Sequence, residues 1–446
     1  MSPELLPILR HRSATDAVCR TRTGVVTAER MLADVTALAA RLPMAKHVVN
    51  MCSDRYRFTV GLCAALLRGQ ISLLPMSAVP GPILGLARHY PTLYALHDES
   101  SAPAGMRGLR YPTRLDGATG GAFAQVPAFP PQQPAVVLFT SGSTGEPQPY
   151  ARSWGALVAS ARAAATRLGL NDAVNATILG TVPHQHSYGL ESIIMLALQQ
   201  GLAMHAAHPL LPSDITSALT SVESQCILVT TPIHLRSLLR HETTLPALQR
   251  IVCATAPLDA ELAREAEARF GAPLFEIYGC TEVGQIATRR TVATEVWSCI
   301  DNLDLREVGD EVRAYGPAAG NDAPLNDVLE LRGNGLFVLH GRKSDLVNIA
   351  GKRTSLSYLN FHLNAIDGVR DGVFVLPVDD SGTVRLSAYV VAPALSARDV
   401  MLALRRVIDP AFLPRPLHVV DVLPRNELGK VSDQALTQLR DATTRR

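Results

Sequence analysis

Short apolar runs alternate with amphipathic stretches along most of the chain, and the two periods together predict alternating strands and helices. Residues 24–42 have helical spacing, His47–Cys52 reads as a strand, and Tyr56–Arg68 is helical again. Ile71–Leu74 and Leu93–Leu96 are strand-like on either side of a helical Ile83–His89. Residues 99–134 break this rhythm with glycines and prolines and are expected to form a long surface connection. Val136–Phe139 then reads as a buried strand and Trp154–Leu168 as an alanine-rich helix. Thr177–Val182, Ile227–Thr231, Arg250–Cys253 and Leu274–Ile277 are further strands, with a helix running through Gln199. Beyond residue 344 a smaller set of strands (Gly372–Val378, Leu386–Val391, Leu417–Val420) is interleaved with helices of its own. The expected fold is α/β. A large N-terminal domain, residues 1–343, layers parallel and mixed sheets with helices, and a small α+β lid domain occupies residues 344–446.

Polar clusters at 140–145, 183–189, 254–257 and 278–282 each follow an expected strand. Ligands of open α/β sheets bind outside the carboxyl ends of the strands, so this repeated placement points to one shared site. The first cluster is Thr140, Ser141, Gly142, Ser143, Thr144 and Gly145. Its glycines let amide groups turn inward and its hydroxyls add donors, as a polyphosphate would require. A Walker A loop would continue with Lys-Ser/Thr, but Glu146-Pro147 follows, which excludes an ordinary P-loop NTPase. Taken alone, this stretch is also compatible with a plain surface loop.

Composition narrows the class. The chain has 446 residues, 47% of them hydrophobic and 18% charged, which describes a globular protein of two or three domains. A net charge of +2 gives no push toward nucleic acid or an anionic membrane. The seven cysteines are scattered and never spaced C-x-x-C, which argues against a disulfide framework or a zinc site. No signal-peptide core and no apolar run of transmembrane length is present, so a cytoplasmic location without a membrane span is expected. Lysine is scarce: only Lys46, Lys343, Lys352 and Lys430 occur, so a lysine inside a motif stands out.

In order, the motifs resemble those of the adenylate-forming (AMP-binding) superfamily of acyl- and aryl-CoA synthetases, peptide-synthetase adenylation domains and luciferases. LFTSGSTGEP is similar to that family's phosphate loop, and Pro183-x-x-His186-x-x-Gly189 to its acyl-pocket motif. Tyr278-Gly279-Cys280-Thr281-Glu282 resembles its Y-G-x-T-E signature. Gly341-Arg342 with Gly351-Lys352-Arg353 resembles its hinge region, and Leu423-Pro424 through Gly429-Lys430 its C-terminal lysine motif. Three departures stand out. Pro147-Gln148-Pro149 replaces Pro-Lys-Gly, with Arg152 or another loop path as the alternative source of the missing charge. The ribose-binding Thr-Gly-Asp is absent, although Asp327 precedes Gly341 much as the family's aspartate does. Ser344 stands at the usual hinge aspartate, with Asp345 one place later.

The resemblance implies a two-step ligase, in which a carboxylic acid and Mg·ATP give an acyl-adenylate and the thiol of CoA or a carrier-protein phosphopantetheine then displaces AMP. It implies that Lys430 brings positive charge to the reacting carboxylate and α-phosphate, and that Glu282 holds Mg²⁺ while Thr281 donates to the α-phosphate. Thr140–Gly145, Tyr278 and Gly279 would surround the nucleotide, Thr255, Ala256 and Pro257 would flank adenine, and Asp327 and Arg342 would bind ribose or phosphate. His184, His186, Ser187, Tyr188, Gly189, Gly279 and Cys280 would line the acid pocket, His186 at its carboxylate end. Arg353 would meet the phosphopantetheine or nucleotide, and the lid would pivot about Arg342, Lys343, Ser344 and Asp345. The compact chain also looks similar to small aryl acid ligases of aryl-polyene and xanthomonadin-type pigment pathways, which suggests 4-hydroxybenzoate as substrate. A fatty-acid CoA or carrier-protein ligase, a nucleotide-binding pseudoenzyme and a structural partner in a biosynthetic complex are the alternatives.

Overall fold

The computed structural model describes residues 4–75, 80–99, 101–117, 119–141, 147–173, 175–241, 245–309, 311–317, 322–342, 346–349, 352–376, 386–425, 431 and 435–439. Packing divides the chain into two compact units, Met1–Gly309 with Arg313–Ala323 and Asp310–Val312 with Pro324–Arg446. No helix among the described residues is long and apolar enough to cross a membrane.

The larger unit begins with a hairpin, Ala17–Thr21 (β1) and Gly24–Thr27 (β2), which leads into helix α1, Ala28–Ala39. The expected helix at 24–42 is therefore shorter. Val25 and Val26 are β-branched and extend the strand, and the Thr27 hydroxyl caps the helix by accepting from the Arg30 amide. His47–Asn50 (β3), Arg55–Leu67 (α2), Ile71–Leu74 (β4), Pro80–His89 (α3) and Tyr94–His97 (β5) follow as the periodicity predicts. The stretch expected to be a surface connection instead contributes Gly108–Arg110 (β6), which pairs in parallel with β5. It also buries Tyr111, Leu115 and Phe129. These apolar residues are spaced too irregularly to show either period.

Pro134–Ser141 (β7) and Pro147–Ser153 (β8) form an antiparallel hairpin, and the six-stranded sheet runs β8-β7-β4-β3-β5-β6. Trp154–Arg167 (α4) then crosses to the second sheet, starting at Ala176–Gly180 (β9). Helix α5 follows, α-helical at Ser187–Gly189 and Leu196–Gln200 with a π-helical Leu190–Met195 between. Next come Ala203–His205 (β10), Pro212–Thr220 (α6), Gln225–Thr230 (β11) and Pro232–Leu239 (α7). Arg250–Cys253 (β12), Ala260–Phe270 (α8), Leu274–Cys280 (β13), Gly284–Arg289 (β14) and Val296–Cys299 (β15) complete it. The strand order is β15-β14-β13-β12-β11-β9-β10-β1-β2, with β13, β12, β11, β9, β10 and β1 parallel.

Alternation along these strands builds layers. Ile178, Ile227, Val229 and Val252 share a core with Val48, Leu74 and Val136 of the first sheet and with α1, α2, α4 and α5. Leu179, Leu228, Ile251 and Leu274 point the other way, under α6, α7 and α8. The first sheet's outer face, Val49, Leu73, Ala95 and Val137, is covered by Ile83 and Leu86 of α3. With both faces of each sheet covered, their strands read as continuous apolar runs.

In the smaller unit, Asp327–Gly333 (β16) and Leu336–Arg342 (β17) form one hairpin, and Leu346–Ile349 (β18) and Lys352–Ser355 (β19) another. Asp371–Val375 (β20) pairs antiparallel with Ser387–Val391 (β21), which pairs in parallel with Leu417–Val419 (β22). Leu356–Asn364 (α9) and Ala397–Leu404 (α10) pack on them, and Leu359, Leu363, Phe374, Val390, Val400 and Leu404 form the core.

Candidate active site

Because β9, β11, β12 and β13 are parallel, the loops after them emerge along one edge of the second sheet. Residues 183–189, 254–257 and 278–282 are brought together there, as the pattern predicts. In the first of these loops Gly189 is required by close approach, since a Cβ there would lie 2.1 Å from the Pro183 carbonyl oxygen. Ser187 donates to Glu191 Oε1 (2.7 Å), and the Tyr188 hydroxyl reaches the carbonyls of Thr230 (3.1 Å) and Val252 (3.0 Å). His186 is half-buried at the N-cap of α5. His184 is 1% exposed, with Nε2 3.0 Å from the Cys52 carbonyl and its ring on Phe58, so it holds the loop to the first layer.

The loop after β12 carries a backbone outlier. Thr255 has φ +82°, a conformation a β-branched residue adopts at a cost of about 1–3 kcal/mol. Its hydroxyl is buried without a partner among the described residues, while Ala256 and Pro257 are exposed beside it. Glu276, in the middle of β13, pins this loop by accepting from the Leu258 amide (3.2 Å), and is itself held by Arg289 (2.6 Å) and Thr291 (2.7 Å).

Near the end of β13, Gly279 admits no side chain because a Cβ would sit 2.4 Å from the Gly284 carbonyl oxygen. Tyr278 is buried edge-on to Trp297, and Thr281 and Glu282 are half-buried at the strand's end. Burial, with Glu282 beside it, pushes the Cys280 thiol up, so it stays protonated. Among the described residues no three metal-ligating side chains cluster. Mg²⁺ that arrives on nucleotide phosphates needs one or two protein carboxylates only, and Glu282 at a strand end fits that demand.

The β7–β8 hairpin reaches this edge through its second strand. Arg152, 5% exposed on β8, donates to the Thr281 carbonyl (3.0 Å). Burial first, and the field of Glu282 second, raise the phenol of Tyr150, also on β8. Glu191 is a buried carboxylate at the centre of the assembly, accepting from Ser160 (2.5 Å), Ser187 (2.7 Å) and the Gln285 amide (3.3 Å). Sequence reasoning missed Glu191 and Glu276. Each is an acid inside an otherwise apolar run, a signal that a polar group is being paired within the core.

Gly142, Ser143, Thr144, Gly145, Lys343, Ser344, Asp345 and Lys430 lie outside the described residues, as do the side chains of Ser141, Arg342 and Arg353. In the smaller unit Asp327 and Arg342 stand opposite each other in the β16–β17 register. Arg425, shortly before Lys430, makes a bidentate pair with Asp371 (2.6 and 2.7 Å) and bridges Val431.

Beneath the edge lies a buried cation. Arg55 is 0% exposed and gives its guanidinium to the carbonyls of His205 (2.6 Å), Ala207 (2.7 Å) and Gly180 (3.1 Å). Burial first, and this charge second, push His184 down to about 3 and His205 and His208 down to about 4. The folded values lie below the ordinary histidine value of about 6.5, so the unfolded chain binds more protons as pH falls. The stabilisation is full above pH ~6.5 and is lost down to pH ~4, at up to about 1.4 kcal/mol per pH unit for each histidine. Urea midpoints should therefore drop between pH 7 and pH 5. A constant midpoint across that range would rule out the neutral cluster.

Comparison with known proteins agrees with this geometry. The family model for AMP-binding enzymes matches residues 89–324. A 4-coumarate–CoA ligase of Rhodobacter capsulatus is 30% identical over 301 residues, 67% of this chain and 74% of that protein. A 3-hydroxybenzoate–CoA/4-hydroxybenzoate–CoA ligase of Thauera aromatica is 23% identical over 403 residues, 81% and 76% of the two chains. ATP-bound MatB from Rhodopseudomonas palustris superposes with a TM-score of 0.80 over 97% of both chains at 17% identity, a likeness of fold. The chain belongs to the AMP-binding, adenylate-forming family. It is an AMP-forming acid–thiol ligase, which uses ATP to activate a carboxylic acid.

Proposed function

We propose that the acid is aromatic, a hydroxybenzoate such as 4-hydroxybenzoate, and that the acceptor is CoA. The relatives from Rhodobacter capsulatus and Thauera aromatica, both named as aryl-acid CoA ligases, support the substrate class and the acceptor. The observation that carries the site assignment is the Arg152–Thr281 hydrogen bond, which fastens the phosphate-loop hairpin to the loop of Glu282.

In this reading the hydroxyls and amides of Thr140–Gly145 hold the β- and γ-phosphates, and the strained Thr255 segment with Ala256, Pro257 and Tyr278 holds adenine. Asp327 and Arg342 take the ribose hydroxyls. Glu282 holds Mg²⁺, which when bound neutralises phosphate charge, and Thr281 donates to the α-phosphate. The acid enters between α5 and the 278–282 loop, its carboxylate toward His186. A carboxylate oxygen attacks the α-phosphorus as the bond to pyrophosphate breaks. Lys430 supplies the positive charge that offsets the approach of two anions, an interaction worth several-fold more once water is excluded. The lid then turns about residues 342–345, and the thiol sulfur attacks the acyl carbonyl, releasing AMP.

Arg152 donates to the Thr281 carbonyl, and in this reading it does not stand in for the lysine missing at position 148. Gln148 is exposed on β8, opposite Thr140. Gln148→Lys is expected to lower the KM for ATP about threefold to tenfold, the effect of roughly 1 kcal/mol from a solvent-exposed charge. Initial-rate kinetics against ATP would check this, and an unchanged KM would show that the loop already carries its full charge. The function itself is tested by pyrophosphate release over a panel of benzoates, cinnamates and medium-chain fatty acids, followed by acyl transfer to CoA or to a phosphopantetheinylated carrier protein. Release with hydroxybenzoates and transfer to CoA is the expected result. Release with fatty acids alone would replace the aryl reading, transfer to carrier protein alone would replace CoA, and no release with any acid would favour a nucleotide-binding pseudoenzyme.

A further inference from the structure

Three segments of the site share one buried carboxylate that no motif covers. Glu191 is 2% exposed and lies in α5, four residues after Ser187 of the 183–189 loop. Its two oxygens are divided between these segments. Oε1 accepts from Ser187 (2.7 Å), one turn earlier on the same helix face. Oε2 accepts from Ser160 of α4, the helix that continues directly from β8 (2.5 Å). It also accepts from the Gln285 amide, three residues beyond Glu282 (3.3 Å).

Two backbone features are fitted to this side chain. Helix α5 is π-helical over Leu190–Met195, a winding that is rare and concentrated at functional positions. Gly284, between Glu282 and Gln285, has φ +91°, and a Cβ there would lie 2.8 and 2.9 Å from the two Glu191 oxygens. The turn between β13 and β14 therefore presses its backbone onto the carboxylate, which only glycine allows. Beside it, Gln285 donates through Nε2 to Ser192 (3.1 Å), and both are buried. Burial works against the charged form of Arg152, which holds the same turn through Thr281, and Glu191 is the leading charge that favours it. An apolar residue at position 191 would also pack α5, but it could not fix the direction of the Ser187 hydroxyl or the Gln285 amide.

We infer that Glu191 is a positioning residue for the acid half of the reaction. It fixes the 183–189 loop and the turn after Glu282 against each other, and so sets the geometry of the space the acid enters without touching the acid itself. This rests on the placement of the acid between α5 and the 278–282 loop given above, and names the group that holds those two walls. A misplacement of about 1 Å can cost on the order of 10²-fold in rate, so holding the walls has a kinetic consequence.

The test measures KM and kcat for pyrophosphate release with whichever acid the wild-type protein activates best, together with equilibrium binding of ATP in the absence of acid. Glu191→Ala leaves three donors unmet. It should raise the KM for the acid about 10-fold or more and lower kcat about 10-fold, with ATP affinity within about threefold of wild type. Glu191→Gln keeps the volume. Its oxygen can meet Ser160 and the Gln285 amide while the Ser187 hydroxyl turns to accept from its amino group, so the KM for the acid should return to within about threefold. Should Glu191→Ala not fold, Glu191→Asp, whose shorter arm does not span both serines, takes its place with the same expected split. A KM does not depend on how much of a preparation is folded, so a merely structural role would lower yield and thermal midpoint and leave the KM unmoved. His186→Ala, at the proposed carboxylate end, is run in parallel. If it raises the KM for the acid while Glu191→Ala keeps the wild-type value, the inference falls and the placement of the acid stands. If neither substitution moves that KM, the placement falls and the inference with it. Equal losses of acid and ATP affinity in Glu191→Ala would also overturn it, by making Glu191 a support of the whole edge.

Discussion

Lys430→Ala is expected to slow acyl-adenylate formation about 10²–10³-fold and to leave transfer from a supplied acyl-adenylate to thiol near the wild-type rate. The first number follows from the charge problem. A carboxylate approaches a phosphate already carrying negative charge, and removing an ammonium from between them costs the transition state about 3–4 kcal/mol in a site that excludes water. The second follows from the lid reading, in which the unit carrying Lys430 has turned away before the thiol attacks. Single-turnover pyrophosphate release measures the first step, and acyl transfer from synthetic adenylate measures the second. The variant should still bind ATP, because the groups assigned to the phosphates and Mg²⁺ belong to other segments of the chain. If both steps collapse together, Lys430 serves the integrity of its unit, and the rotation goes with it.

Glu282→Gln should lower adenylation by about 100-fold, close to 3 kcal/mol, with no comparable change in thermal midpoint. The carboxylate is half-buried at the end of β13, and the loop around it is held by other groups, Arg152 on the Thr281 carbonyl and Gly279 against Gly284. Gln is nearly isosteric, so the substitution removes charge and little else. Titrating Mg²⁺ into the variant separates the two readings of a loss. A rate that recovers at high Mg²⁺ identifies weakened metal binding, whereas wild-type turnover at limiting Mg²⁺ would remove Glu282 from the metal site altogether.

The layered core and the order of the motifs were readable because each rests on a local rule. Strands buried on both faces read as unbroken apolar runs, as in Val136–Phe139, and Gly189 and Gly279 occur where neighbouring carbonyls leave no room for a side chain. What escaped depends on register between distant strands. Asp327 and Arg342 could be singled out separately, but their position opposite one another belongs to the β16–β17 ladder. Strand β8 was hidden by its composition, since Pro147 and Pro149 argue against a strand unless it lies at a sheet's margin.

That position of β8 bears on how the protein behaves at high concentration. Among the described strands, β8 closes one end of the six-stranded sheet, and a sheet margin is a template on which another chain can add a strand. Pro147 and Pro149 share a parity along β8, and since the strand pairs with β7 regardless, the amide positions they occupy face outward. Neither has a hydrogen to give, so an incoming strand would meet two gaps in its ladder beside the phosphate loop. The feature that disguised the strand in the sequence thus also works against edge-to-edge strand addition at this hairpin.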